Sequence, residues 1–220
     1  MDRYKSRILA PFGSNMIEVK LPDNIYKEMI KITDKVIEDK EIKHGRYLAG
    51  HIEHEWRIAK NIIEPTQTYI FLKSVVEDFI KLSSNSNLSR KYVPSSFVRT
   101  DPSSKINIEG MWVNEMRKYE YNPIHQHPGS DISSVIFLKV PDLEKSNIGR
   151  KGNTDGKLEF VSHTYSDFDD GTFLVYPEEA MMYVFPGRLL HTVYPFNCEG
   201  VRRSVSFNST LTYNGQDRNG

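Results

Sequence analysis

The sequence has a single cysteine, Cys198, so no disulfide can close within it, and a metal site built on thiolates would need ligands of other kinds. It has no excess of charge. Its 29 lysines and arginines are balanced by 29 aspartates and glutamates, and a chain of zero formal charge has no global field to draw it onto nucleic acid or an anionic membrane. Long apolar runs are also missing: stretches such as Phe173 to Tyr176 and Met181 to Phe185 fall far short of the ~20 residues of a membrane span. The start, Met1-Asp-Arg-Tyr-Lys5, lacks the apolar core of a signal peptide, so a cytoplasmic location is expected. No GxGxxG or other phosphate-cradling glycine pattern occurs, and neither an internal repeat nor a low-complexity tract is found. What remains is an ordinary folded composition over 220 residues, enough to bury the core of one domain spanning 1–220.

Periodicity divides the chain. Residues 7 to 21 alternate loosely and read as one or two short strands broken at Pro11 and Gly13. From Pro22 the apolar spacing changes to three and four, with Ile25, Met29, Ile32, Val36 and Ile37 marking one face of an amphipathic helix, capped by Asp23 or Asn24 and ending near Lys40. Gly45 to Gly50 is a connection, and Ile52 to Ile63 a short helix or loop. A second helix begins near Glu64-Pro-Thr66, with Tyr69, Leu72, Val76, Phe79 and Ile80 on one face, and stops in Ser83-Ser-Asn-Ser-Asn87. His51 and His54 could share a helical face, but without a third partner nearby they read as a solvated pair.

Beyond about residue 95 the pattern is one of strands: 106–119, 132–140, 157–163, 173–176, 181–185, 189–194 and 201–211, separated by Pro, Gly, Asn and Asp. Many short strands at regular spacing indicate a sandwich or barrel. The expected fold is α+β, mainly β. Residues 1–94 form a buttress of helices and short strands, and 95–220 the β core.

Possible metal ligands gather in Asn122-Pro-Ile-His-Gln-His-Pro-Gly-Ser-Asp131. On extended backbone His125 and His127 project from one face, Pro128-Gly129-Ser130 turns the chain, and Asp131 can be brought back toward the same point. His191, after Phe185-Pro-Gly-Arg-Leu-Leu190, can add a ligand from another strand. Histidine nitrogens, with or without a carboxylate and with coordination positions left open, suit a redox-active non-haem iron. Further on, Arg202, Ser204 and Ser206 share one face of a strand, and Arg203, Val205 and Phe207 the other. A guanidinium facing a barrel interior needs a carboxylate partner, and beside serine hydroxyls it forms a fork for a dicarboxylate. With the sheet turned over, Val205 and Phe207 would be inside and Arg202 in water.

With these residues in place, the stretch from Trp112 to Asn208 resembles the iron(II)- and 2-oxoglutarate-dependent oxygenases. The resemblance is to a subfamily with HxHPGS, an apolar strand, an FP…H segment and RxSxSFN in that order. Here these are His125-Gln-His127-Pro-Gly-Ser130, Ile132 to Val140, Phe185-Pro186 to His191, and Arg202-Arg-Ser204-Val-Ser206-Phe-Asn208. That subfamily is common in cyanobacterial phages, which implies a viral source and the host cytoplasm as location. The resemblance also implies a double-stranded β-helix, or jelly-roll, core buttressed by the N-terminal helices. It makes His191 the distal ligand to Fe(II), and Arg202 the partner of the 2-oxoglutarate C5 carboxylate, assisted by Ser204. O2 is the remaining co-substrate.

One departure stands out: the superfamily has HxD or HxE where this chain has His125-Gln-His127. Three ligand sets follow, namely His125, His127 and His191; His127, Asp131 and His191; or His125, Asp131 and His191. The first keeps the family spacing and is preferred, although three imidazoles do not offset the charge of iron(II) as a carboxylate does.

The implied activity is that of a dioxygenase, oxidising 2-oxoglutarate to succinate while hydroxylating a protein side chain, for example proline, or a small molecule. Trp112, Asn114 and Tyr121 are candidates to line its pocket. Two other readings stay open: a cupin-like metalloprotein binding iron, manganese or nickel through three histidines without 2-oxoglutarate, and a non-catalytic jelly-roll module in which HxH serves packing. Ser162, His163 and Asp167 lack a nucleophile elbow, and Asp167-Phe-Asp-Asp170 lacks the spacing of a calcium loop.

Overall fold

Strand alternation along the C-terminal part of the chain becomes two antiparallel sheets in the computed structural model, which describes residues 4–9, 15–39, 50–85, 105–148, 153–162 and 171–212. The strands are β1 (Ser6–Leu9), β2 (Met16–Lys20), β3 (Glu55–Arg57), β4 (Lys105–Met116), β5 (Asn122–His125), β6 (Ile132–Lys139), β7 (Leu158–Val161), β8 (Thr172–Val175), β9 (Met181–Pro186), β10 (Leu190–Val193) and β11 (Arg202–Thr212). The larger sheet has the order β1-β2-β9-β6-β11-β4-β3, and the smaller β5-β10-β7-β8. Together they are the expected jelly roll. Outside the described residues lie the break at Pro11 and Gly13, the connection from Gly45 to residue 49, the polar loop beyond Asn85, and His163 with Asp167 to Asp170.

Among the described residues three helices precede β4: α1 (Asp23–Asp39), α2 (Lys60–Ile63) and α3 (Gln67–Asn85). The three-and-four spacing is realised in α1, which buries Ile25, Met29, Ile32 and Val36. Its first internal hydrogen bond runs from the Tyr26 N–H to the Pro22 carbonyl, so the cap falls on Pro22 rather than on Asp23 or Asn24. At the start of α3 the Thr66 hydroxyl accepts from the Tyr69 N–H at 3.1 Å, a side-chain cap that moves the helix start past Pro65. The segment from Ile52 to Ile63, expected as helix or loop, contains strand β3 as well as α2.

The larger sheet is buried on both faces, and that decides what each strand residue does. One face meets the helices: Val113, Ile136, Leu138, Val184, Val205 and Phe207 join Met29, Leu72 and Val76 in one apolar cluster. The other face meets the smaller sheet, where Met116, Val135, Phe137 and Phe185 pack with Leu158, Phe160 and Val193. Alternation therefore sorts residues between two interiors rather than between core and water. Arg203 on the helix side is held by ion pairs: its Nε and Nη2 donate to Glu115 Oε1 at 2.9 and 2.6 Å, and its Nη1 to Asp34 Oδ1 and Thr33 Oγ1. The guanidinium beside Asp34 holds that carboxyl below its ordinary range. No helix among the described residues is long and apolar enough to cross a membrane.

Candidate active site

Two neighbouring strands of the smaller sheet bring the first histidines together. His125 ends β5, and His191 faces it as its Cα partner on β10. Their ring centroids are 4.2 Å apart. His127 lies beyond the strand, with its ring 5.2 Å from His125 and 5.3 Å from His191. One ring nitrogen from each of the three falls within 4.8 Å of the others, close enough that together they could hold a metal ion.

Backbone contacts fix the rings. His125 Nδ1 contacts its own chain at the Pro123 carbonyl, 2.7 Å away, and His191 Nδ1 at the Leu189 carbonyl, 2.9 Å away. With Nδ1 protonated and donating to the carbonyl, Nε2 carries the lone pair that a metal takes. Two turns pin His127: its N–H donates to the Gly187 carbonyl at 2.6 Å, and the Gly187 N–H donates to the Asp131 carbonyl at 3.0 Å. A Cβ on Gly187 would stand 2.4 Å from the Ser130 carbonyl oxygen, so these backbones approach this closely only with glycine there. The side-chain amide of Asn208 lies 3.5 Å from His127 Nδ1, and its Oδ1 accepts from Ser133 Oγ. That asparagine closed the RxSxSFN motif without a role deduced from the sequence.

Burial favours the neutral imidazoles. It pushes His191 down to about 3, helped by the neighbouring His125, and His127 down to about 4 for the same reasons in the same order. His125 is also lowered by burial, against the opposing contact with Pro123. Neutral imidazole is the form that binds a metal. Asp131 stands outside the cluster: its Oδ2 accepts from the Leu211 N–H at 2.9 Å and its own N–H donates to the Ser209 carbonyl, which ties the turn to β11.

Arg202 and Ser204, each 2% exposed, face the same cavity of ≈ 200 Å³ as the three histidines. The Arg202 guanidinium lies over the Phe137 ring, 4.9 Å from its centre, and its Nε and Nη2 have no hydrogen-bond partner among the described residues. Burial alone pushes it down to about 10. Two unpartnered, buried guanidinium nitrogens in a cavity with serine hydroxyls fit a carboxylate, and three neutral imidazoles with converging nitrogens fit a transition-metal ion.

Trp112 and Asn114 line the cavity as expected, but Tyr121 does not. The Tyr121 ring instead stacks on His51 at 4.8 Å, in an isolated bridge outside the strands. His54 stacks on Trp56. Glu55 also lines the cavity, 2% exposed, and was not among the residues singled out by motif or spacing.

Residues 110–208 match the family model described as "Putative 2OG-Fe(II) oxygenase", a span that includes the histidines, Arg202 and Ser204. No curated protein matches the chain in sequence. Among solved structures, the chain is similar to a Pseudomonas putida prolyl-4-hydroxylase at 13% identity and TM-score 0.53, covering 94% of this chain and 92% of that one. It is similar to a prolyl hydroxylase from Trichoplax adhaerens, in complex with a hypoxia inducible factor oxygen degradation domain peptide fragment, at 12% identity and TM-score 0.55, covering 93% and 83%. It is likewise similar to HygX from Streptomyces hygroscopicus with nickel and 2-oxoglutarate bound, at 8% identity and TM-score 0.54, covering 91% and 84%. At such identities the likeness is one of fold.

Proposed function

We propose that this 2-oxoglutarate- and iron(II)-dependent oxygenase, whose family is carried by residues 110–208, holds its metal with His125, His127 and His191 and clamps the far carboxylate of 2-oxoglutarate with Arg202 and Ser204. Its prime substrate is a protein side chain, such as proline, or a small molecule. The observation that carries the reading is Arg202: a guanidinium 2% exposed, with Nε and Nη2 unpartnered, on the cavity where three imidazoles converge. Burying a charge without a partner is costly, and a dicarboxylate ligand removes that cost on binding.

When bound, iron(II) with O2 and 2-oxoglutarate supplies the oxidising power to hydroxylate an unreactive C–H bond, 2-oxoglutarate leaving as succinate and CO2. The chain's own residues bind, orient and exclude water. The Pro123 and Leu189 carbonyls aim His125 and His191, and the joined turns at Gly187 and Ser130 set His127. Phe160 and Phe185, with ring centres 5.9 and 5.0 Å from His191, keep water from its buried side.

The test is binding of 2-oxoglutarate and its conversion to succinate with added iron(II), including turnover without a prime substrate. Arg202→Ala should weaken 2-oxoglutarate binding by about a hundredfold or more, the scale for removing one side of a buried charge-assisted pair. Unchanged affinity in that variant would overturn the assignment. The all-imidazole donor set favours one rival, a three-histidine metal site that works without the oxoacid. It predicts stoichiometric metal with no 2-oxoglutarate binding.

A further inference from the structure

Glu55 is the one carboxylate among the described residues lining the cavity, and it is 2% exposed. It sits on β3, the edge strand of the larger sheet, as the Cα partner of Asn114 on β4, and Asn114 is in turn the partner of Ser204 on β11. Glu55, Asn114 and Ser204 thus form a row across three strands, on the face turned toward the histidines. Glu55 Oε2 and Asn114 Oδ1 have no hydrogen-bond partner among the described residues. Both are acceptors, and what is missing beside them is a donor. Arg202 does not supply it, since no ion pair joins Arg202 and Glu55 among the described residues.

Resting on the oxygenase reading above, we propose that Glu55, with Asn114 beside it, is the subsite that receives a cationic nitrogen of the prime substrate, an amine or a guanidine. The cavity holds a guanidinium and a carboxyl group that do not pair with each other. The guanidinium is matched by the oxoacid, which leaves the carboxylate for the second molecule that must enter. A cation offsets a buried carboxylate as a neutral donor cannot. Burial and then the nearby Glu120 push the Glu55 carboxyl up to about 7, a shift that a cation brought against it would reverse. Gly50 packs closely against two of the lining residues, where a Cβ would stand 2.1 Å from Asn122 Oδ1 and 3.4 Å from Glu55 Oε1. Bare backbone there leaves both side chains facing inward.

The test uses the full chain loaded with zinc(II) and 2-oxoglutarate, with butylammonium and methylguanidinium as probes and butanol and butyrate as controls, followed by ligand-observed NMR. The two cations should bind in preference to butanol, and butyrate should not bind. Glu55→Gln, equal in shape and without the charge, should weaken the cations by about tenfold or more, the scale of one charge-assisted hydrogen bond, while Glu55→Asp retains the preference. Butanol binding as tightly as butylammonium, or cation binding unchanged in Glu55→Gln, overturns the proposal. Wild-type protein that takes up 2-oxoglutarate but neither cation overturns this proposal alone. Wild-type protein that takes up no 2-oxoglutarate overturns the oxygenase assignment of these residues and this subsite with it.

Discussion

Arg202 and Arg203 are adjacent and chemically identical, and the two-residue repeat of β11 gives them opposite surroundings. Arg203 points to the helices, where Glu115 and Asp34 satisfy it. Arg202 points to the cavity, where Nε and Nη2 are unmatched. The same substitution should therefore have opposite effects. Arg203→Met leaves the buried Glu115 carboxylate without its partner and should cost about 3–5 kcal/mol in denaturant unfolding. Asp34→Asn should cost about 1 kcal/mol or less, because the Asp34 side chain is 53% exposed and water screens the pair. Arg202→Met removes an uncompensated buried charge, so the ligand-free protein should be no less stable, or more stable, while 2-oxoglutarate affinity is lost. If Arg202→Met destabilised the ligand-free protein as much as Arg203→Met does, Arg202 would not be an uncompensated buried charge.

At the scale of elements, two turns meet beside the histidines, the one from His127 to Asp131 and the one at Pro186-Gly187. Gly187→Ala would drive a Cβ into the Ser130 carbonyl, 2.4 Å away, so the turns must part and His127 must shift. The expected result is metal affinity lowered by about tenfold or more, as when partners that orient a ligand are lost, read by competition with a chelator. Asp131→Ala should behave differently: it leaves the Leu211 N–H short of an acceptor, costing about 1–3 kcal/mol, with metal affinity kept. These elements also mark how far the sequence could be read. Alternation along β11 and the helical spacing in α1 were legible because apolar residues mark them. The strands β3 and β5 were not, being an edge of three residues, Glu-Trp-Arg, and an edge containing Pro123. Whether Asp131 or His127 turned toward His191 depended on the exit direction of a Pro-Gly-Ser turn, which residue types alone leave open. Glu55 was hidden for the same reason as β3: nothing in a three-residue edge strand marks which of its side chains turns inward, and only the pairing with β4 puts Glu55 inside.

Over the whole molecule, the buried titratable groups pull stability in opposite directions. His127 and His191 have folded-state values near 4 and 3, below the ordinary 6.5, so the metal-free protein binds fewer protons there than the unfolded chain does. Their contribution is present above pH 6.5 and is lost as pH falls toward 3. Glu55 is raised from 4.5 to about 7, so its contribution is present below pH 4.5 and is lost as pH rises to 7. Unfolding of metal-free protein followed across pH should therefore show stability rising to about pH 6.5, and Glu55→Gln should be more stable than wild type above pH 7. A variant no more stable there would mean that Glu55 is not held as described. The pairing of His125 with His191 carries a mechanical consequence as well. Those strands are neighbours in space but distant along the chain, and with a single cysteine the chain has no covalent crosslink to tie such segments. An ion held by both, as proposed, would act as a removable staple that shrinks the freedom of the unfolded chain, as a disulfide closing a long loop does. A chelator would then cut that staple, and the smaller sheet should become the first part of the molecule to open to proteases.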